Sequence, residues 1–290
     1  MKPALLKNIE SQTGSLTIQE LVEPHFDPNW HFHPHYQLFT VLEGTGTRII
    51  GDSIRHFEPG DTVFLGPDVP HLWRNDDEYF KKESLLKTHG IVLYFQQDFL
   101  GNEFLSKPEM QPIRQLLTES KKGIVYTGEA REMIRVALHQ LLHRDGFERV
   151  LRTLELLNKL AHSAESQPIT SFQYVNTYKV SETERMQKVH SYVLQHFKNE
   201  IRLGEAASLA GMSEAAFCRY FKTRSNKTFT DFVSEIRIGH ACKLLIETSY
   251  TISQIAYESG FDTLSNFNRN FKKITLQTPR EYRAAFRTAV

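Results

Sequence analysis

Only two of the 290 residues are cysteine, so no disulfide framework can brace this chain. That usage fits a reducing compartment. No apolar run approaches the ~20 residues needed to cross a bilayer. Met1–Asn8 lacks the apolar stretch and cleavage site of a secretory leader, so a cytoplasmic address is expected and no membrane partner. An excess of charge is missing too, with 35 Lys+Arg against 34 Asp+Glu and a net charge of +1. What is present is an ordinary globular mixture, 40% hydrophobic and 24% charged, which argues against wholesale disorder. The length suffices for two domains of roughly 100–200 residues, each with a core.

The balanced charge conceals a polarised chain. Residues 181–290 hold 16 basic and 11 acidic side chains, a balance of +5, and residues 1–180 hold 19 and 23, a balance of −4. The carboxy-terminal end suits an anionic partner and the amino-terminal end does not. Histidine is equally uneven: seven of the 13 precede residue 90, and four lie from His25 to His35.

Three textures follow one another along the chain. Leu38–Leu42, Thr47–Ile50, Asp61–Leu65 and Gly90–Phe95 are rich in β-branched and aromatic residues and are separated by glycine and proline turns. They predict a small sandwich or barrel. After Pro108, the sets Ile113/Leu116/Leu117, Ile134/Leu138/Leu141/Leu142 and Val150/Leu151/Leu154/Leu157/Leu160 recur at helical spacing. The third set is expected to form a subunit contact. Residues 163–181 read as a linker, and Ser181–Glu184 as a helix start with an N-cap serine. The expected division is a strand-rich 1–110, helices and linker in 111–180, and a helical domain in 181–290.

The strongest signal is an internal repeat. Leu203–Gly211 matches Ile252–Gly260, and each copy continues into a helix with two phenylalanines four apart, Phe217/Phe221 and Phe267/Phe271. This is a helix-turn-helix pattern: a small alanine lets two helices cross closely and a glycine makes the turn. With the phenylalanines inward, Ala215, Arg219 and Lys222 point outward in the first copy, flanked by Ala216 and Cys218. Ser265, Arg269 and Lys272 do so in the second, flanked by Asn266 and Asn268. Arginine and asparagine match guanine and adenine edges in a major groove, and lysine suits phosphate. Double-stranded DNA is therefore the expected partner.

Residues 185–286 resemble the DNA-binding domain of the AraC-type family of bacterial transcription regulators. The resemblance rests on Leu203–Phe221, Ile236–Leu245, Ile255–Asp262, Phe267–Lys273, Thr278-Pro279 and Tyr282-Arg283. It implies two helix-turn-helix units joined by a long helix near Thr230–Ile246, reading successive major grooves about 34 Å apart. Two positions depart from the pattern: the glycine after each recognition helix is Asn226 in the first copy and Leu276 in the second. Leucine tolerates a left-handed conformation poorly, so the second loop is expected to take a different path. Cys218 is read as an inert helix thiol and Cys242 as core.

In the amino-terminal region, His31-Phe-His33-Pro-His35-Tyr-Gln37 ahead of Gly44 resembles the first cupin motif. Gly60, His71 and Asn75 resemble the second. The implied fold class is α+β: a cupin-like β-barrel, a helical dimerisation region and an all-α carboxy-terminal domain with two helix-turn-helix units. Residues 31, 33 and 37 share strand parity, so a regular strand aims all three inward, whereas Pro34 turns His35 away. Gln37 stands where the motif has a glutamate, which removes both a hard ligand and a base. His31, His33, Gln37 and His71 are the effector-binding candidates. No cofactor is assigned, although the imidazoles of His31, His33 and His71 could hold zinc, nickel, iron or copper. Trp30, Tyr36, Phe39 and Trp73 are read as core. By the two resemblances, 1–110 would sense a small molecule and the helices that follow would dimerise, so the resulting expectation is a non-enzymatic DNA-binding regulator responsive to a small-molecule effector bound in the amino-terminal barrel. It is read as a homodimer and an activator, with RNA polymerase as a candidate partner. The alternative is a metal-dependent cupin enzyme acting on a small metabolite.

Overall fold

A computed structural model describes residues 15–175 and 180–287. The chain divides into two compact units, the first holding the described residues up to 175 apart from Ile54–His56, which group with the second. The first unit opens with strands β1 (Leu16–Glu23), β2 (His35–Glu43), β3 (Gly46–Ile50), β4 (Ser53–Phe57), β5 (Thr62–Leu65), β6 (His71–Asn75) and β7 (Thr88–Gln96). Helices α1 (Asn102–Leu105) and α2 (Gln111–Glu119) follow, then strand β8 (Ile124–Tyr126), helices α3 (Gly128–Leu142) and α4 (Gly146–Ala161), and strand β9 (Ser166–Pro168). The strands form one sheet in the order β1-β7-β2-β5-β8-β9 and another in the order β4-β3-β6.

Strand alternation separates two cores. In β2 and β7, Tyr36, Leu38, Ile91, Leu93 and Phe95 turn towards α2, α3 and α4 and join Ile113, Leu116, Ile134, Leu138 and Leu157. The intervening Phe39, Val41, Val92 and Tyr94 turn towards Phe57, Val63 and Trp73. β2 lies between β5 and β7, with Gln37 opposite Leu65 on one side and Tyr94 on the other. This places Gln37 on the inner face with Phe39.

The expected boundary near residue 110 is not present. β8 pairs with β5, and β9 pairs with β8, so residues 124–126 and 166–168 complete the larger sheet. The apolar stripes of α2 and α3 are spent on this unit's own core. In α4, Leu157 and Leu160 are buried there, Val150 and Leu154 lie half-buried against it, and Leu151 remains exposed. The predicted subunit-contact stripe is thus reduced to its outer edge. The predicted linker is also partly structured: Thr170 and Tyr174 are buried, and Ser171 donates from its backbone N (3.1 Å) and Oγ (2.6 Å) to the Asp52 carboxylate. The N-cap expected at Ser181 concerns side chains outside the described residues.

The second unit is helical: α5 (Val180–His196), α6 (Leu203–Leu209), α7 (Glu214–Ser225), α8 (Phe229–Glu247), α9 (Ile252–Glu258), α10 (Leu264–Thr275) and α11 (Pro279–Arg287). α6 and α7 form the first helix-turn-helix, α9 and α10 the second, and α8 joins them. Phe217 and Phe221 are fully buried and meet Phe229 edge-on. Phe267 and Phe271 are fully buried among Ile238, Ala241 and Leu245 of α8. Burying an aromatic side chain contributes roughly 1.5–3 kcal/mol, so each pair anchors its recognition helix. The loop after α10 does not depart from the first: Leu276 (φ 62°, ψ 7°) takes the same left-handed conformation as Asn226 (φ 53°, ψ 21°). The repeated fold imposes the turn on a side chain that disfavours it. Among the described residues no helix is long and apolar enough to cross a membrane.

Candidate functional site

Two regions carry chemistry. In the helical unit, side chains cap the start of each recognition helix: the Ser213 hydroxyl accepts from Ala216 N (3.4 Å), and Thr263 accepts from Asn266 N (3.2 Å). Such caps stabilise a helix by about 1 kcal/mol and fix which residues follow on the outer face. Ala215, Cys218, Arg219 and Lys222 are exposed on α7, with Ala216 half-buried. Ser265, Asn268, Arg269 and Lys272 are exposed on α10, with Asn266 half-buried. Arg219, Lys222 and Asn266 border one hollow of about 420 Å³, so the first face and the start of the second open to the same side of this unit. Asn268, Arg269 and Lys272 border another hollow of about 750 Å³.

The sequence missed three features of this surface. Asn266 is not simply presented outward: its Oδ1 accepts from Arg269 Nη2 (2.9 Å) and Asn270 Nδ2 (2.7 Å), so it aims the arginine. Arg280, from α11, lines the hollow of Arg269 and Lys272. Lys273 pairs with Asp231 of α8 (2.7 Å), which ties α10 to the connecting helix. The Asn266 contacts have the i,i+3 and i,i+4 spacing of one helix, whereas those of Arg280 and Lys273 are contacts of fold, for which helical periodicity carries no signal. Cys218 is exposed, and burial pushes the Cys242 thiol up to about 11.

In the barrel, His31, His33 and His71 converge. All three are buried, and their candidate ligand nitrogens lie within 4.8 Å of one another. Regular-strand parity is not what brings them together, because β2 begins only at His35. Instead His31 forms an isolated backbone bridge with His71, with N–O distances of 3.1 and 2.9 Å. His31 Nδ1 meets the Asn29 carbonyl and His71 Nδ1 the Val69 carbonyl, both at 2.7 Å. In each ring, proton donation from Nδ1 leaves Nε2 as the ligating nitrogen. His33 Nε2 lies 2.9 Å from Gln37 Oε1. His35 is outside the cluster, and burial holds its imidazole below the ordinary range.

A hollow of about 40 Å³ is lined by two of the three histidines, His31 and His71, and by Gln37, Trp73, Tyr94 and Asp27 among others. Burial first, and the Asp27 carboxylate second, push the Tyr94 hydroxyl above its ordinary range. Phe39 and Trp73 also face this hollow while remaining buried; Trp30 and Tyr36 are buried away from it. Asn75 has a different role: its Oδ1 accepts from Phe26 N (2.8 Å) and its Nδ2 donates to the Thr45 carbonyl (3.2 Å). A water needs roughly 10–15 Å³, and pockets for organic ligands measure about 300–1,000 Å³. The hollow as formed has room for an ion with a water or two. Three imidazoles suit zinc, copper, iron or nickel, and backbone carbonyls at two of the rings are the partners that orient metal-bound histidines. The residues present fit a divalent transition metal.

Comparison with known proteins agrees with both halves. Residues 206–285 match the helix-turn-helix domain family and residues 19–79 the cupin domain family. An uncharacterised HTH-type transcriptional regulator of Staphylococcus aureus is 30% identical over 200 residues, which cover 68% of this chain and 26% of that protein. The chain thus spans about a quarter of the length of such relatives. The uncharacterised HTH-type transcriptional regulator YdeC of Bacillus subtilis is 21% identical over 266 residues, covering 87% of this chain and 85% of its own. Among solved structures, the DNA-binding domain of AdpA, a global transcriptional factor, in complex with a target DNA is 24% identical. It has a TM-score of 0.35 and covers 37% of this chain and 96% of that one.

Proposed function

We propose that the chain is an AraC-type helix-turn-helix regulator with a cupin domain on its amino-terminal side, a sequence-specific DNA-binding transcription regulator governed by a ligand in the barrel. The observation that carries this reading is the pair of anchored recognition helices, each with an exposed basic face. Arg219 and Arg269 serve as base readers, and Lys222 and Lys272 as phosphate contacts. Asn266 supports Arg269, so the second copy reads polar base edges. The first, with Ala215, Ala216 and Cys218, relies more on apolar contacts to thymine methyls.

The reading extends to a homodimer, a cytoplasmic location and activation through RNA polymerase. Val136, Phe147 and Leu151, exposed on α3 and α4, support the homodimer as the apolar surface left after the core is formed. The sensor ligand is a divalent transition metal held by His31, His33 and His71, since the hollow has the volume of an ion. With Gln37 in place of a carboxylate base, the site acts as a sensor and not as an enzyme centre. Metal and DNA then favour the same global state, each raising affinity for the other by the same factor.

The test is selection of a preferred site from random DNA, followed by binding of the Arg269→Ala variant. The variant is expected to lose about 1–3 kcal/mol on the selected site, with relaxed base preference there and little change on random DNA. Equal losses on both would show Arg269 to be a phosphate contact. The absence of any preferred site for the wild-type chain would overturn the reading.

A further inference from the structure

A divalent cation among three neutral imidazoles and a neutral amide keeps its full charge, and a buried charge without compensation is costly. Position 37 cannot supply the compensation, because Gln37 is neutral whether it acts as a ligand or as a hydrogen-bond acceptor. Among the described residues lining the hollow, one acid is present, Asp27. It lies half-buried on the connection between β1 and β2.

Asp27 is also linked to the imidazoles. Its Oδ1 accepts from the backbone N (3.1 Å) and Nδ2 (2.7 Å) of Asn29. The carbonyl of the same Asn29 accepts from His31 Nδ1 at 2.7 Å. One residue therefore holds both the acid and a ring of the cluster, and the charge of the acid reaches the Tyr94 wall opposite. Asp27 is outside the set of nitrogens that already lie within 4.8 Å of one another.

We propose that Asp27 supplies the carboxylate that strand position 37 lacks, so that the loaded site consists of three imidazoles and a carboxylate carried by the β1–β2 loop. This inference rests on the metal reading of the barrel given above. A carboxylate fixed on a central strand would take up an ion with little movement. One on a loop must close over it, drawing Asn29 and His31 along, so the ion changes the shape of the loop. The loop is thereby the part of the sensor that responds.

Co²⁺ serves as the probe, read in the full-length chain by calorimetry and by the visible absorption of the bound ion. Wild type is expected to bind one Co²⁺ and His71→Ala to lose it. Asp27→Asn keeps an oxygen for the Asn29 contacts, so loop and fold persist, and the metal-free melting temperature reports this. Its Co²⁺ affinity is expected to fall about ten- to a hundredfold. Adding Gln37→Glu to Asp27→Asn returns a carboxylate to the strand and is expected to recover most of that loss. Unchanged Co²⁺ affinity in Asp27→Asn, beside loss in His71→Ala, would overturn the role of Asp27 and leave the metal site standing. Failure of the wild type to take up Co²⁺ would overturn both, while the DNA-reading role is judged separately by Arg269→Ala.

Discussion

Gly211 and Gly260 turn the chain at matching points of the two helix-turn-helix copies, with φ of 67° and 82°, yet their surroundings differ. A Cβ placed on Gly211 meets nothing, whereas one on Gly260 would run into the carbonyl oxygen of Phe197, close to the Arg237 guanidinium. Arg237 is itself fixed, donating to the carbonyls of Phe197 and Asn199 at 2.8 Å each. The first glycine is needed for conformation alone, and the second for conformation and for close approach. A repeat conserves backbone geometry while the crowding around each copy is free to diverge.

The sharpest way to break this comparison is to add the methyl group. Gly260→Ala is expected to destabilise the chain by roughly 2–4 kcal/mol, combining the left-handed penalty with overpacking against backbone. Gly211→Ala should cost only about 1–2 kcal/mol. Urea unfolding of both variants measures the difference. Equal losses would mean that the turn conformation sets the demand in both copies and that the Phe197 contact adjusts freely.

A second contrast concerns the helices that precede each copy. His190 on α5 and His240 on α8 stand 50 positions apart, in step with the repeat. His240 is half-buried, with its ring edge-on to Phe197 at 5.2 Å. His190 is buried and stacked on Phe232 at 4.9 Å. Burial pushes the His190 imidazole down to about 3. The folded state therefore keeps this ring neutral while the unfolded state protonates it near 6.5. Its contribution to stability is complete above that value and is lost as pH falls towards the folded value. Between pH 7.5 and 5.5 the loss is expected to be about 1.4 kcal/mol. A His190→Leu variant should lose that slope in calorimetric melts taken across the interval. An unchanged slope would place the titrating group elsewhere.

How much of this was legible depends on the range of the interaction. The two copies, their buried phenylalanines and their outward basic residues follow from 3.6-residue periodicity and could be read directly. The helix expected at Thr230–Ile246 runs Phe229–Glu247. Strands β8 and β9 were not legible, because three residues are too few to show alternation and their pairing is decided by contacts across 40 to 64 positions. The histidine cluster was legible as a set of residues, but its cause was not: a backbone bridge between His31 and His71 does the work assigned to strand parity. Asp27 was invisible for the same reason. Nothing in a loop sequence says which hollow an acid will line.

The two exits from the recognition helices give the finest contrast, because there the backbone agrees and the residue does not. Asn226 and Leu276 both adopt left-handed conformations, φ 53° and 62°. Asparagine tolerates that region, while a leucine there costs roughly 1–2 kcal/mol relative to glycine. Leu276 is 84% exposed, so its side chain recovers little by packing. Replacing Leu276 by glycine removes the steric penalty but frees the unfolded chain, and the balance is expected to favour the folded state by about 0.5–1 kcal/mol. Asn226→Gly should change stability by only a few tenths of a kcal/mol. Thermal melts of the two variants provide the comparison. A stabilisation at 226 equal to that at 276 would show that the loop, and not the residue in it, carries the strain.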